Sequence, residues 1–474
     1  MLEAIKENKW NIFVGMLLLL AVPMIPYITS NDFKSGILVL FAIFGSALAF
    51  LCFNNAKVGF YITLSTVITV RWFERLYGQE IQVGAAIDFM LICSLIGTML
   101  QKNRKGNNPV NYLKEPLLLI MYIQFAYSMM EGLNPNGSNK DTVIIFFRLL
   151  LRYLMFAVLT TVVMKKKEDV QFFFKFWLGL STISAIYGCI QEWFGLMPWE
   201  WAIVMSSPEK LATTMIQGHL RIFSTMTDPA VFGVLMACGS VLCIILLTAS
   251  LSVINFQKKL FIGMALLFHL MALGYSGTRT GYVIIPAGLF LFLLVNLHKR
   301  NTLITAMVCT VIGGAILFGP FYGNATINRV RSAFVGTDDA SLNVREINRH
   351  SIQPYIHTHP IGGGLFTCGG EGRAYNPGHP LAGFPPDSGF LRTALELGWP
   401  MLIVVMFFYF LQMSTCIGNY FRFTNEIDKL LAIAIAAMTF EMVISMYAQE
   451  SGGLMESAFF INALTGIVIK SKYL

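Results

Sequence analysis

The sequence predicts an all-α, polytopic membrane protein of about fourteen transmembrane helices, and three observations carry that prediction. Apolar runs of membrane-crossing length recur along nearly the whole chain. Charged residues are scarce: the 474 residues are 55% hydrophobic and 13% charged, about half the charged share of an ordinary soluble domain. Basic residues fall in alternate connections between the runs. No polar stretch is long enough for a soluble domain, so one polytopic domain is expected over 1–474.

The expected spans cover residues 10–29, 35–53, 57–73, 81–100, 116–133, 142–164, 170–190, 229–250, 260–277, 280–297, 302–322, 387–412, 428–449 and 452–469. The first run lacks the small-residue cleavage site of a signal peptide and another run follows at once, so it is expected to stay as a span. The third is short. The stretch 260–297 is nearly continuous, broken only around Ser276-Gly277-Thr278.

Orientation follows from the connections. With the N-terminus and its Lys6 and Lys9 in the cytoplasm, the basic groups at Lys57, Lys102 to Lys114, Lys165 to Lys167, Lys258 and Lys259, Lys299 and Arg300, Arg422 and Lys429, and Lys470 and Lys472 all fall on the same side, as the positive-inside rule requires. The opposite connections hold little beyond Lys34, Arg75 and Lys140. An even number of spans returns the C-terminus to the cytoplasm. Two long segments then lie outside, 191–228 and 323–386, the second between the eleventh and twelfth spans. The first has an aromatic stretch around Trp193 and Trp201 that suits an interfacial helix. The second is rich in Gly and Pro, and a connection that long is uncommon unless functional or disordered. Its aromatic and aliphatic content argues against disorder.

The net charge of +8 is spent on topology, so no nucleic-acid partner is expected. Seven of the eight cysteines sit in or beside apolar runs and Cys368 alone lies in a polar segment. That gives neither a disulfide framework nor a zinc-type pair, and neither metal nor cofactor is expected.

The sharpest chemical signal is the choice of basic residue. The cytoplasmic positives are fifteen lysines and three arginines, whereas 323–386 holds Arg329, Arg331, Arg345, Arg349 and Arg373 and no lysine. Arg221 and Arg279 are also placed outward, at span ends. Lysine serves as a topology charge, but the arginine fork matches phosphate oxygens in pairs. The set points to an anionic ligand; the competing reading is arginines bonding loop carbonyls and carboxylates such as Asp338, Asp339 and Glu346. His219, His350, His357, His359 and His379 share the outer side. No acidic or cysteine partner stands at metal-site spacing from His357 and His359, so a base, a phosphate donor or a structural role fits them better.

Ser276-Gly277-Thr278-Arg279-Thr280-Gly281 turns between two spans and sets an arginine at a helix start, where free backbone N–H groups favour an anion. Asp88, Arg148, Arg152, Lys175, Arg392, Glu396 and Glu441 lie inside spans, where charge is costly and faces a cavity or partner. Arg392 and Glu396 are spaced to pair. Arg148 and Arg152 share a helix face, with lipid phosphate or a carboxylate such as Asp88 as alternative partners.

Four segments, in order, resemble bacterial O-antigen polymerases and O-antigen ligases. Arg221 to Pro229 is similar to that family's R-x-x-G-T-x-x-[ND]-P lead into a span. Tyr275 to Gly281 resembles its T-x-S-R-[GT] turn. Arg345 precedes His359-Pro360-Ile361-Gly362-Gly363-Gly364, which resembles H-P-[IL]-x-G-x-G. Pro386-Asp387-Ser388-Gly389-Phe390-Leu391 with Glu396-Leu397-Gly398 resembles H-N-x-[YF]-L…E-x-G. Asp387-Ser388 replaces the His-Asn often found there, which tilts the reading towards polymerase.

The resemblance implies a membrane glycosyltransferase that joins undecaprenyl-diphosphate-linked repeat units into O-antigen, capsule or exopolysaccharide. Its substrates would be lipid-linked donor and acceptor glycans. It would work without metal on the periplasmic face of the inner membrane, with a chain-length regulator as a possible partner. Arg221, Arg279, Arg345 and Arg349 are the candidates to hold the diphosphate. His359, Asp387 and His379 are the candidate bases, and Asp228 is the candidate to orient an arginine. The alternatives are an O-antigen ligase acting on lipid A core and, in another class, a transporter of lipid-linked glycans. The absence of internal repeats argues against the last.

Overall fold

The computed structural model describes residues 45–77, 83–102, 112–137, 139, 141–216, 218–335 and 340–474. The expected span 10–29 and most of 35–53 lie outside the described residues, as do Lys6, Lys9, Asp338 and Asp339. The described chain is almost wholly helical. Nine helices among the described residues are long and apolar enough to cross a membrane.

The chain forms two compact units, Met1–Thr63 with Gln82–Gly106, and Leu64–Ile81 with Asn107–Leu474. The first holds α1 (Gly45–Asn54), the start of α2 (Ala56–Tyr77) and α3 (Val83–Lys102). Small residues let these helices touch: Gly97 lies against the Phe53 backbone, and Gly59 against Cys52 and the Ser94 hydroxyl.

The second unit holds the rest of α2 and then α4 (Pro116–Met130), α5 (Asp141–Val163), α6 (Lys167–Phe194), the short α7 (Pro198–Val204) and α8 (Pro208–Thr214), and the hairpin β1 (Met215–Ile216) with β2 (His219–Leu220). There follow α9 (Pro229–Leu247), α10 (Phe256–Ser276), α11 (Arg279–Asn296), α12 (Arg300–Phe318), α13 (Ala325–Val335), α14 (Ala340–Thr358), α15 (Gly369–Tyr375), α16 (Gly389–Arg422), α17 (Glu426–Ala448) and α18 (Met455–Ser471). The segment expected as a long outer loop therefore carries three helices, α13 to α15.

At the centre stands α9. It is apolar on every side, and a helix of that kind is buried all round; almost every residue from Pro229 to Leu246 is enclosed, by α6, α10, α11 and α17. Asp228 caps it, accepting from Ala230 N at 2.7 Å and Val231 N at 2.8 Å, and Pro229 opens its first turn, where a missing N–H costs nothing.

α16 is broken at Gly398, whose φ of 72° suits glycine alone. The freed carbonyls are taken by the 360–364 turn. Gly363 N donates to Leu395 O (2.7 Å) and Gly364 N to Glu396 O (2.9 Å), while Trp399 N donates to Pro360 O (3.0 Å). The His-Pro-Ile-Gly-Gly-Gly and Glu-Leu-Gly segments are thus one structural device. Asn134 and Asn136 reach it from the turn after α4, both donating to Gly362 O.

Candidate functional site

The site begins with the lead into α9. Ser224 takes a left-handed backbone, φ 52°, which a non-glycine residue holds only when its surroundings enforce it. They do. Ser224 N donates to Gln191 Oε1 (2.8 Å) and its hydroxyl donates to Ser184 O (2.6 Å). The buried Arg75 donates to Ser224 O at 2.6 Å and to Met226 O, with its guanidinium 4.2 Å above the Phe223 ring. Thr227 donates through its backbone and hydroxyl to Glu456 Oε1, at 2.8 and 2.7 Å. Gln191 is itself held by the buried Glu200, at 2.6 Å.

The α10–α11 corner docks onto this segment. Gly277 has φ 59°. The Thr278 hydroxyl donates to Pro229 O at 2.7 Å. Arg221 donates through Nε to Ser276 O (2.9 Å), through one terminal nitrogen to Thr213 O (3.0 Å) and through the other to the Thr278 hydroxyl (3.3 Å). Arg329, on α13, donates through Nε to Gly277 O at 2.8 Å. A Cβ at Gly277 would stand 2.7 Å from that nitrogen, so glycine is required there for both conformation and space.

Arg221, Arg279 and Arg329 line one cavity of about 380 Å³, with His219, Tyr275, Asn328 and the carboxylate of Glu192. Three guanidiniums face one carboxylate. Burial first, then the like charge of Arg329, brings the Arg221 guanidinium down to about 10, while Asp228 acts against that fall. A cation depressed by other cations gains from a bound anion, because the anion restores the favoured charge state.

The sequence-predicted residues divide. Arg221 and Arg279 meet in the cavity; Arg345 and Arg349, on α14, do not line it. Arg349 instead donates to Tyr447 O at 2.9 Å and lies 4.6 Å from the Tyr447 ring centre. Asp228 caps α9. His359 and His379 gather around Tyr355 outside the cavity. The His359 ring stacks on Tyr355 at 3.9 Å, and its Nδ1 lies 3.0 Å from the Tyr355 carbonyl. The Thr358 hydroxyl, which donates to Pro354 O, also lies 2.9 Å from Nδ1; a carbonyl only accepts, so a proton on Nδ1 satisfies the Tyr355 contact and leaves the Nε2 lone pair to accept. His379 has the reverse arrangement: Leu381 N donates to its Nδ1 at 3.1 Å, and Nε2 faces the Tyr355 hydroxyl at 3.5 Å. Burial first, and then His359, holds His379 below the ordinary imidazole range. Asp387 sits in a left-handed conformation, φ 49°, beside Ser388, which caps α16 by accepting from Leu391 N (3.3 Å).

Arg392 pairs with Glu396 at 3.2 Å, as their spacing predicts, and also with Glu450 at 2.7 Å and with Glu371. Sequence reasoning placed Arg329 in the outer arginine set without joining it to Arg221 and Arg279, and missed Arg75, Glu200 and Glu456 as supports. The only signal for Arg75 was a basic residue in a connection on the side otherwise nearly free of them. Among the described residues no group of three or more His, Cys, Asp or Glu is placed to hold a metal ion.

Residues 262–406 match a family model described as O-Antigen ligase. No curated protein matches the chain. The match spans the α10–α11 corner, Arg329, the His359-Pro360 turn and the broken part of α16; Arg221 and Asp228 precede it. Residues 262–406 are thus similar to the O-antigen ligase family, the group that the polymerase-like and ligase-like motifs resemble.

Proposed function

We propose that the protein is a membrane glycosyltransferase that takes a glycan from undecaprenyl diphosphate and joins it to a hydroxyl of an acceptor. The observation that carries this reading is the cavity where Arg221, Arg279 and Arg329 converge. The leaving group of such a transfer is a lipid diphosphate, and preorganised cations stabilise the charge it takes on as it departs. No nucleotide or metal enters the scheme. In the polymerase form the acceptor is a second lipid-linked repeat unit, and a chain-length regulator is a natural partner. The asymmetry between lysine and arginine supports a site on the outer face of the inner membrane with both termini in the cytoplasm. His359 is the preferred base because its Nε2 lone pair is open, whereas the Nδ1 lone pair of His379 already accepts a hydrogen bond. Asp387 stands as a second candidate, and Arg345 and Arg349 as contacts to a more distant part of the substrate.

The description of the matched family favours a second reading, transfer of the finished glycan to lipid A core. One experiment separates the two: delete the gene and resolve the surface polysaccharide on a gel. A single-repeat band establishes the polymerase, and long chains left unattached establish the ligase. An unchanged ladder, with no redundant enzyme present, would refute both.

A further inference from the structure

Helix α14 and the broken helix α16 enclose a groove of about 460 Å³. Helical spacing builds its first wall. Arg349, Gln353 and His357 recur every four residues, which sets them on one face of α14, and all three line the groove. Ile352, Tyr355 and Ile356 pack on the buried Cys368, Leu381 and Leu395. That packing fixes the helix with its polar stripe turned into the groove.

The second wall is apolar. Phe390 and Leu391 supply it before the break in α16, and Trp399 and Leu402 after the break. Rings bracket the polar stripe. Arg349 lies 4.6 Å from the Tyr447 ring centre, and the ring centres of His357 and Trp399 are 6.4 Å apart. Arg349 donates to the Tyr447 carbonyl at 2.9 Å, a contact that leaves its charge intact. No residue lining the groove is acidic, so the guanidinium meets no carboxylate there.

The apolar wall continues beyond the groove. Ile403, Met406, Phe407 and Phe410 follow on α16 at helical spacing and are 53% to 63% exposed. This helix is long and apolar enough to cross a membrane, so its uncovered stripe faces lipid chains.

We propose that the groove seats one anionic phospholipid of the bilayer. Its phosphodiester lies at Arg349, whose fork matches phosphate oxygens in pairs, and one acyl chain runs along Trp399 and Leu402 onto the stripe beyond. Tyr447 and Trp399 stand at the headgroup level, where such rings are favoured. A single guanidinium suits the single charge of a phosphodiester, whereas a diphosphate finds three in the cavity at Arg221. The inference rests on the groove alone and not on the glycan-transfer reading. It gives Arg349 to a lipid in place of a distant substrate contact, so the two assignments exclude each other.

The test uses the full chain in nanodiscs of equal parts phosphatidylglycerol and phosphatidylcholine, with native mass spectrometry identifying the lipid that stays bound. The wild type is expected to retain phosphatidylglycerol, because the choline cation opposes Arg349. Arg349→Gln is expected to weaken that retention about tenfold, the loss of one charge-assisted hydrogen bond. Leu402→Trp, which fills the groove and touches no charge, is expected to abolish it with unchanged thermal unfolding, and it decides the matter should Arg349→Gln fail to fold. Retention of both lipids alike by the wild type, or undiminished retention in Leu402→Trp, would overturn the proposal. Displacement by inorganic phosphate would overturn it too, since the chain would then contribute nothing. Displacement by equimolar undecaprenyl diphosphate would return Arg349 to the substrate and likewise overturn it.

Discussion

The cavity at Arg221 and a second cavity, at Asp228, draw on the same short segment of chain and carry opposite charge. The first sets three arginines against Glu192; the second sets four carboxylates against Arg392. Their supports differ too. In the first, Arg221 donates to the backbone carbonyls of Ser276 and Thr213 and Arg329 to that of Gly277, which fixes the direction of each. Arg392 in the second is spent on carboxylates. A guanidinium held by carbonyls stays available to an incoming anion; one held by carboxylates has become part of the frame.

The largest effect should follow from taking one cation out of the first cavity. Arg279→Ala is expected to lower glycan transfer by about a hundredfold or more, as loss of one preorganised donor does elsewhere, with unchanged protein abundance in the membrane. Chain-length profiles of the polysaccharide provide the readout, and a normal profile would erase the distinction between the cavities. Arg75→Ala comes next. It strands the carbonyls of Ser224 and Met226 and should cost about 1–3 kcal/mol of stability, measured by thermal unfolding in detergent. Arg75→Lys should recover part of this, because an ammonium cannot reproduce the fork. Gly277→Ala should cost about 1–2 kcal/mol through its positive φ and weaken pyrophosphate binding by displacing Arg329.

The smallest effect near neutrality concerns pH. The free Arg221 guanidinium loses its proton around 10, and an anion binds the charged form. Pyrophosphate affinity should therefore be full below that pH and fall as pH rises through it, by up to about tenfold per unit. Calorimetric titration across that range checks the sign. Affinity that stays level to pH 12 would detach Arg221 from the seat.

The all-helical, many-span character was legible because the membrane imposes a length on apolar runs, though nine helices of spanning length, not fourteen, stand among the described residues. The segments expected at 229–250, 260–277 and 280–297 appear as α9, α10 and α11. Arg221 and Arg279 were legible as a chemical choice, arginine where lysine would have served topology. Arg329 belongs with them only because α13 folds against the α10–α11 corner, and nothing in its local sequence says so. Arg75 and Glu456 act on residues far away along the chain, a separation that neither periodicity nor spacing records. The Arg392–Glu396 pair was readable from helical spacing; Glu371 and Glu450 reach it from other elements and were not.

The break in α16 constrains how anything enters. Pulling the 360–364 turn away would strand Leu395 O, Glu396 O and the Trp399 N–H, and backbone groups left without partners cost about 1–3 kcal/mol apiece. That turn is therefore an anchor bolt rather than a swinging door. On the proposed glycan-transfer reading, substrate entry relies on hinges elsewhere or on sideways passage from the bilayer, and crosslinking the turn to α16 should leave throughput intact.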